Sequence, residues 1–401
     1  MTAGLTETRQ SAPVPAWRAA KLSEVADITS GGTPSRNQRA FWGGRHLWVT
    51  TAEVDGGTIN TTRETISDEG LARSSAKLLP PGTVLMAMYG QGKTRGKVAI
   101  LGTHATTNQA CAAILPGPEV DGRYLFHLLS GKYDEIRRMS NSGSQENLSL
   151  GIVGGISVLL PTLAEQYAIA EALDSADQSL SAIDELIVKK RGVKQALSVG
   201  LLSGQLRTAG DDSTWSVRQF GELCKPRKDR IDPRLGEPGV FCVELEHLES
   251  GTGRLLASTV TSTTSSLKTS FQAGDVLFGK LRSYLRKSWQ ADRAGVCSTE
   301  IWALAPHEGV AVGTFIAQLV QTDAFVEATQ LTYGTHMPRS DWSAVARWEC
   351  PVPSVEVQRS VGELLAAADA ELDALVAQRD KLRMVKQGMM QDLLSGRVRL
   401  S

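Results

Sequence analysis

One stretch of this sequence occurs twice. Residues 161–207 and 353–399 align without a gap at a constant offset of 192 residues. Pro161/Pro353, Gln166/Gln358, Leu173/Leu365, Asp177/Asp369, Leu180/Leu372 and Lys194/Lys386 coincide, as do the Leu-Leu-Ser-Gly runs at 201–204 and 393–396. A repeat of this period constrains the chain to two similar halves. Within each copy the apolar residues step by three and four. In the first, Leu173, Leu180, Ile183 and Ile187 mark the seam, and in the second Leu365, Leu372, Leu375 and Leu382 do so, with Lys194, Arg379 and Lys386 as polar members. That is the a/d pattern of a helix packing along another helix, and the shared seam predicts that the two copies pack on each other. Pro161 and Pro353 stand just before the predicted helices, where a missing N–H costs nothing. Gly204 and Gly396 stand where a left-handed C-terminal cap belongs. About 40 residues at 1.5 Å each give rods of roughly 60 Å.

At 401 residues two or more domains are expected, and hydrophobic residues at 41% suffice for real cores. Lys+Arg and Asp+Glu are both 43, so the net charge is zero. A polyanion must then be met by local patches rather than by the chain as a whole. The five cysteines are scattered, with no CxxC pair and no Cys/His cluster. A reduced, cytoplasmic chain without a structural metal is the simplest expectation. Residues 1–15 lack the apolar segment of a secretory signal and read as a disordered tail, and no apolar run reaches the ~20 residues of a membrane span.

The predicted fold class is α+β: two pseudo-repeated α/β units, residues 16–160 and 208–352, separated by the helices 161–207 and 353–401. In the first unit, strands are expected at 47–51, 83–89, 98–101, 110–115 and 155–161, with one helix from Tyr124 to about Met139. The second unit echoes this skeleton: Gly274-Asp275-Val276-Leu277 answers Gly82-Thr83-Val84-Leu85, residues 298–306 answer 108–116, and a helix at about 311–329 answers 124–139. The helices are alike and the units diverge, the pattern of one scaffold carrying two different recognition surfaces.

Catalytic constellations are absent from the sequence: no GxSxG, no glycine-rich cofactor strand, no tetrapeptide of the adenine-methyltransferase kind, and no His cluster at ligand spacing. Ala87-Met-Tyr-Gly-Gln-Gly-Lys93-Thr94 fits a relaxed phosphate loop, so a nucleotide-binding chain using Lys93-Thr94 is the alternative reading. A phosphate loop must run into a helix, however, and here a β-like segment follows. The same loop carries Gln91, Lys93, Arg95 and Lys97, and the second unit places Lys280, Arg282, Tyr284, Arg286 and Lys287 in the matching position. Cations hold phosphates, and Arg, Gln and Asn forks read base edges. Two further polar loops, with Ser144, Gln145 and Asn147 in one unit and His336 and Arg339 in the other, complete the candidate DNA-binding set.

At this point the chain closely resembles the specificity subunit of Type I restriction-modification systems. Residues 31–51 (GGTPSRNQRAFWGGRHLWVTT) look like that family's opening signature, and Pro-x-x-x-x-Gln at 161–166 and 353–358, each followed by a long helix and LLSG, looks like its two conserved regions. Val357 stands where the family often has Glu. The resemblance implies two target-recognition domains that each read half of a split double-stranded DNA target. The helices would pack antiparallel and dock two methyltransferase subunits, with restriction-motor subunits joining the complex. S-adenosylmethionine, ATP and magnesium would belong to those partners, and this chain would carry no catalytic residue, metal or cofactor of its own.

Overall fold

The computed structural model describes residues 17–400 apart from 91–92, 140–146, 236–238, 264–265 and 331–338; the predicted tail at 1–15 therefore lies outside the described residues. The chain forms two compact units. One takes the chain up to Ala182 together with Arg379 onward, and the other takes Ile183–Gln378. Each unit thus joins one globular part to the beginning of one long helix and the end of the other. The helices run Leu163–Leu202 and Val355–Leu394, two residues after Pro161 and Pro353, and Gly204 and Gly396 both adopt φ +75°.

The globular parts share a proximal sheet. In the first unit its strand order is Ala26–Ser30, Cys111–Pro116, Val84–Ala87, Val98–Leu101 and Thr58–Ile59; in the second it is Cys224–Pro226, Ile301–Pro306, Val276–Gly279 and Ser288–Gln290. The first four strands correspond one to one. A short antiparallel pair also recurs, Arg18–Lys21 with Ser157–Leu160 and Ser216–Gln219 with Glu349–Val352. The distal sheets differ in size, three strands against five, yet both contain a parallel pair: Trp42–Val49 beside Ala105–Thr107, and Phe241–Val243 beside Gly295–Ser298. The expectation of a common skeleton under divergent detail holds at this level.

Each helix predicted between strand and polar loop is instead two short helices, Gly122–Gly131 with Tyr133–Arg138 and Gly313–Leu319 with Asp323–Gln330. In the second unit Thr322 ends one helix and starts the next: its hydroxyl donates to the Leu319 carbonyl (2.7 Å) and accepts from the Phe325 amide (3.2 Å). In the first unit the break falls at Lys132, which caps both helices, just after Gly131, where a Cβ would lie 3.4 Å from a Leu394 methyl.

Buried glutamines fasten the helices to the globular parts. Gln166 accepts from the Asp121 amide (2.9 Å) and donates to the carbonyls of Glu119 and Pro161 (both 3.0 Å). Gln358 accepts from the Val312 amide (3.2 Å) and donates to the carbonyls of Val310 (2.9 Å) and Pro353 (3.0 Å). Only an amide side chain both donates twice and accepts at one site, which is why the Pro-x-x-x-x-Gln spacing recurs.

The helices pack antiparallel within each unit. In the first, Leu173 shares a buried core with Leu393 and Leu394, Lys386 pairs with Asp177, and Arg399 pairs with buried Glu165. In the second, Val361 and Leu365 share a core with Leu201 and Leu202, Lys194 pairs with Asp369 (2.7 Å), and Lys190 pairs with Glu371 (2.6 Å). Of the predicted seam residues, Leu173, Ile187, Leu365 and Leu372 are buried, while Leu180, Ile183, Leu375 and Leu382 are half-buried. Where Val357 replaces a carboxylate, Arg207, the counterpart of Arg399, turns to Asp211 (3.2 Å), which also accepts from the Trp215 indole (3.0 Å).

Lys386 and Asp369 are the repeat mates of Lys194 and Asp177, so the first copy alone contains both members of the seam pair. A chain ending after Arg207 is expected to form a homodimer that rebuilds two Asp177–Lys194 pairs, and Lys194→Asp is expected to abolish it, as read by sedimentation velocity.

A second prediction concerns His127, fully buried with Nε2 2.8 Å from Asp174. Burial pushes its imidazole below the ordinary value, against the pull of Asp174. The unfolded chain therefore binds the proton more readily, and stability is lost as pH falls below about 6.5. Gln318, at the corresponding helix position, donates to Asp369 (3.2 Å) without titrating. His127→Gln is expected to keep the contact and flatten the thermal-stability curve between about pH 6.5 and 5.

Candidate nucleic-acid interface

Both cationic loops leave the same strand of the proximal sheet, and both are tied to the second polar loop by the same bond. The Leu148 amide donates to the Met88 carbonyl (3.0 Å), and the Ser340 amide donates to the Lys280 carbonyl (3.0 Å), each partner displaced by 192 residues. The loops singled out from sequence are therefore neighbours in both units.

In the first unit the turn is carried by glycines, Gly90 at φ +132° and Gly96 at φ +82°. The Tyr133 hydroxyl donates to the Lys93 carbonyl (2.6 Å), which fixes the backbone and leaves the Lys93 side chain exposed, with no partner among the described residues. Tyr89 beside it is 42% exposed. Arg95 is buried, at 6% exposure, and Lys97 pairs with Asp55, so these two cations serve the loop itself. Asn147 is half-buried, and Gln91, Ser144 and Gln145 lie outside the described residues. After Lys97 the chain enters the strand Val98–Leu101, so the loop does not run into a helix as a phosphate loop does. Nothing observed supports a phosphate loop there.

In the second unit the loop is closed by a 3-10 turn, Ser283–Leu285, flanked by Arg282 at φ +54° and Arg286 at φ +50°. These are the only non-glycine residues with positive φ among those described. Such conformations cost about 1–3 kcal/mol each and persist only when their surroundings enforce them. Arg286 is held by the Gln321 carbonyl (3.1 Å) and by Asp323, and Lys287 donates to the Leu245 carbonyl (2.9 Å). Arg339 forms a two-pronged pair with Glu300 (both 2.9 Å). The side chains of Arg282, Tyr284 and Lys280 make no hydrogen bond or ion pair among the described residues, and Arg282 and Tyr284 are exposed. His336 lies outside the described residues.

Residue-by-residue reading missed a further charged site. Arg36 lies 3.7 Å from the ring centre of Trp42 and 4.9 Å from that of Trp48, and forks onto Glu64 (2.9 Å for one prong). That pair holds the Arg36 guanidinium above its usual range and the Glu64 carboxyl below its own. The platform rests on a turn: the Trp48 indole donates to the Gly32 carbonyl (2.9 Å), and the Trp42 indole to the Ser35 carbonyl (3.1 Å). The Gly31-Gly32 pair and the tryptophans were visible as punctuation, but periodicity says nothing about a cation stacked between them. Among the described residues no group of His, Cys, Asp or Glu could hold a metal ion, and the five cysteines are free and buried.

Residues 16–189 match the family described as Type I restriction modification DNA specificity domain. The chain is 25% identical over 180 residues to the Escherichia coli Type I restriction enzyme EcoR124I/EcoR124II specificity subunit, a match covering 43% of this chain and 44% of that protein. It is 25% identical over 186 residues to the Methanocaldococcus jannaschii Type I restriction enzyme MjaIX specificity subunit, covering 45% and 41%. The match thus spans less than half the length of these two relatives. In fold, the chain is similar to the Type I restriction-modification S subunit from M. genitalium, with a TM-score of 0.61 at 16% identity over 98% of this chain and 99% of that one.

A Cβ on Gly31 would sit 1.8 Å from the Thr107 carbonyl oxygen, whereas one on Gly57 would meet nothing within 4 Å. Gly31→Ala is expected to cost at least about 3 kcal/mol or to prevent folding, and Gly57→Ala to stay within about 0.5 kcal/mol, both read by thermal unfolding.

Proposed function

We propose, from the match of residues 16–189 to the Type I restriction modification DNA specificity domain, that the whole chain is the DNA-specificity subunit of a Type I restriction-modification complex. The observation that carries this reading is the repetition of one plan outside the matched residues. Sheet order, parallel strand pair, glutamine clamp and loop-to-loop bond all recur after residue 208. A family match to one half therefore extends by internal symmetry to the other. The domain limits 16–160, 161–207, 208–352 and 353–401 are part of the same proposal.

In this reading each globular part recognises one half of a split double-stranded target, and two readings add to raise specificity. Lys93 and Lys280 supply phosphate contact. The long helices leave Val188, Val199 and Met384 more than half exposed. Apolar side chains on a helix face are covered at little cost by another helix, which suits docking of two methyltransferase subunits, with restriction-motor subunits beyond them. S-adenosylmethionine, ATP and magnesium belong to those partners, and this chain supplies address rather than chemistry. It works in the cytoplasm, where the DNA is; no helix among the described residues is long and apolar enough to cross a membrane.

The test is a methylation map of cells expressing the chain with its methyltransferase. Removing seven residues from the middle of each long helix keeps the seam in register and shortens it by about 10 Å, roughly three base pairs. The expected result is a two-part motif with unchanged half-sites and a shorter spacer. An unaltered spacer would refute the role assigned to the helices.

A further inference from the structure

We infer that Arg282 is a base-reading residue of the second unit, selecting guanine through its guanidinium fork, with Tyr284 beside it against the neighbouring base. This deepens the DNA-specificity reading above and rests on it. The first observation is where the chain accepts backbone strain. At the matching loop of the first unit, positive φ falls on Gly90 and Gly96, which adopt it freely. In the second unit it falls on Arg282 and Arg286. A loop needing only to turn would use glycine here, so the side chains themselves are what the loop retains.

The second observation is how the strain is held. The Leu285 and Arg286 amides donate to the carbonyls of Arg282 and Ser283 (both 2.9 Å), and Ser283 is buried. Arg286 is anchored at both ends: its guanidinium on Asp323 and the Gln321 carbonyl, its own carbonyl on the Gln321 side-chain amide (3.2 Å). Across the loop the Gly279 amide donates to the Lys287 carbonyl (2.8 Å) and the Lys280 amide to the Glu300 carbonyl (3.0 Å). One strained arginine is therefore consumed as an anchor. The side chain of the other, Arg282, is exposed with no partner among the described residues, next to a tyrosine that is 53% exposed.

A rigid base carrying one unspent guanidinium and one unspent aromatic ring differs from a phosphate clamp. Phosphate contact needs only charge, which Lys280 in the same loop supplies on a flexible stem. A guanidinium on a rigid backbone offers a planar fork of two N–H donors, which matches the two acceptors, O6 and N7, that guanine alone presents in the major groove.

The experiment maps methylation in cells carrying the methyltransferase with the unaltered chain, Arg282→Gly, Arg282→Lys or Lys280→Ala, together with the thermal stability of each purified chain. Arg282→Gly relieves the strained backbone, so its melting temperature is expected to hold or rise. Its motif is expected to relax at one guanine of one half-site, with discrimination falling about 5- to 150-fold and the other half-site unchanged. Arg282→Lys is expected to relax the same position, and Lys280→Ala to weaken modification of all sites uniformly. An unchanged motif in Arg282→Gly, or a uniform loss matching Lys280→Ala, would overturn the base-reading assignment alone. A lowered melting temperature with an intact motif would make Arg282 structural. If the unaltered chain directs no two-part motif, the specificity reading fails and this inference with it.

Discussion

Each unit is closed by an ion pair between helices that lie far apart in sequence: Asp177 with Lys386 in one, Lys194 with Asp369 in the other. Apolar seams attract helices in any register that keeps the stripe buried. A lysine and an aspartate placed within that stripe penalise every alignment that leaves either without its partner. Because both pairs are half-buried, mispairing would strand a charge where water only partly compensates. The seam residues around them supply adhesion, and the charges supply direction.

The helix ends carry the same division of labour. Gly204 and Gly396 turn left-handed, and an indole packs on each: Trp215 against Gly204 and Trp17 against Gly396. Arg207 and Arg399 sit over those indoles at 5.0 and 5.3 Å. The two ends then solve the carboxylate problem differently, Glu165 within the helix in one unit and Asp211 after it in the other. One conserved geometry is met from two sequence positions, and this is how the halves diverge without losing their joint.

Much of this was legible from sequence because it follows from periodicity and punctuation. The long helices, their caps and the strand skeleton rest on spacing that one dimension records. What escaped reading depends on through-space partners. Arg95, Arg286 and Arg339 look as available in the sequence as Arg282, but burial or the carboxylates of Asp323 and Glu300 occupy them. The split of each expected helix into two was hidden because it turns on single residues, the Thr322 hydroxyl in one unit and the Lys132 cap in the other. The Arg36 platform required knowing that Trp42 and Trp48 meet edge to face at 4.9 Å.

The matched seam also bears on how such a chain can vary. Since Asp177 and Lys194 recur as Asp369 and Lys386, a genetic crossover within the duplicated stretch exchanges one globular part and still delivers both complementary charges to the joint. Inheritance of the scaffold and inheritance of the address are thereby uncoupled: a lineage can trade one half of its target while the clasp that assembles the molecule passes on intact.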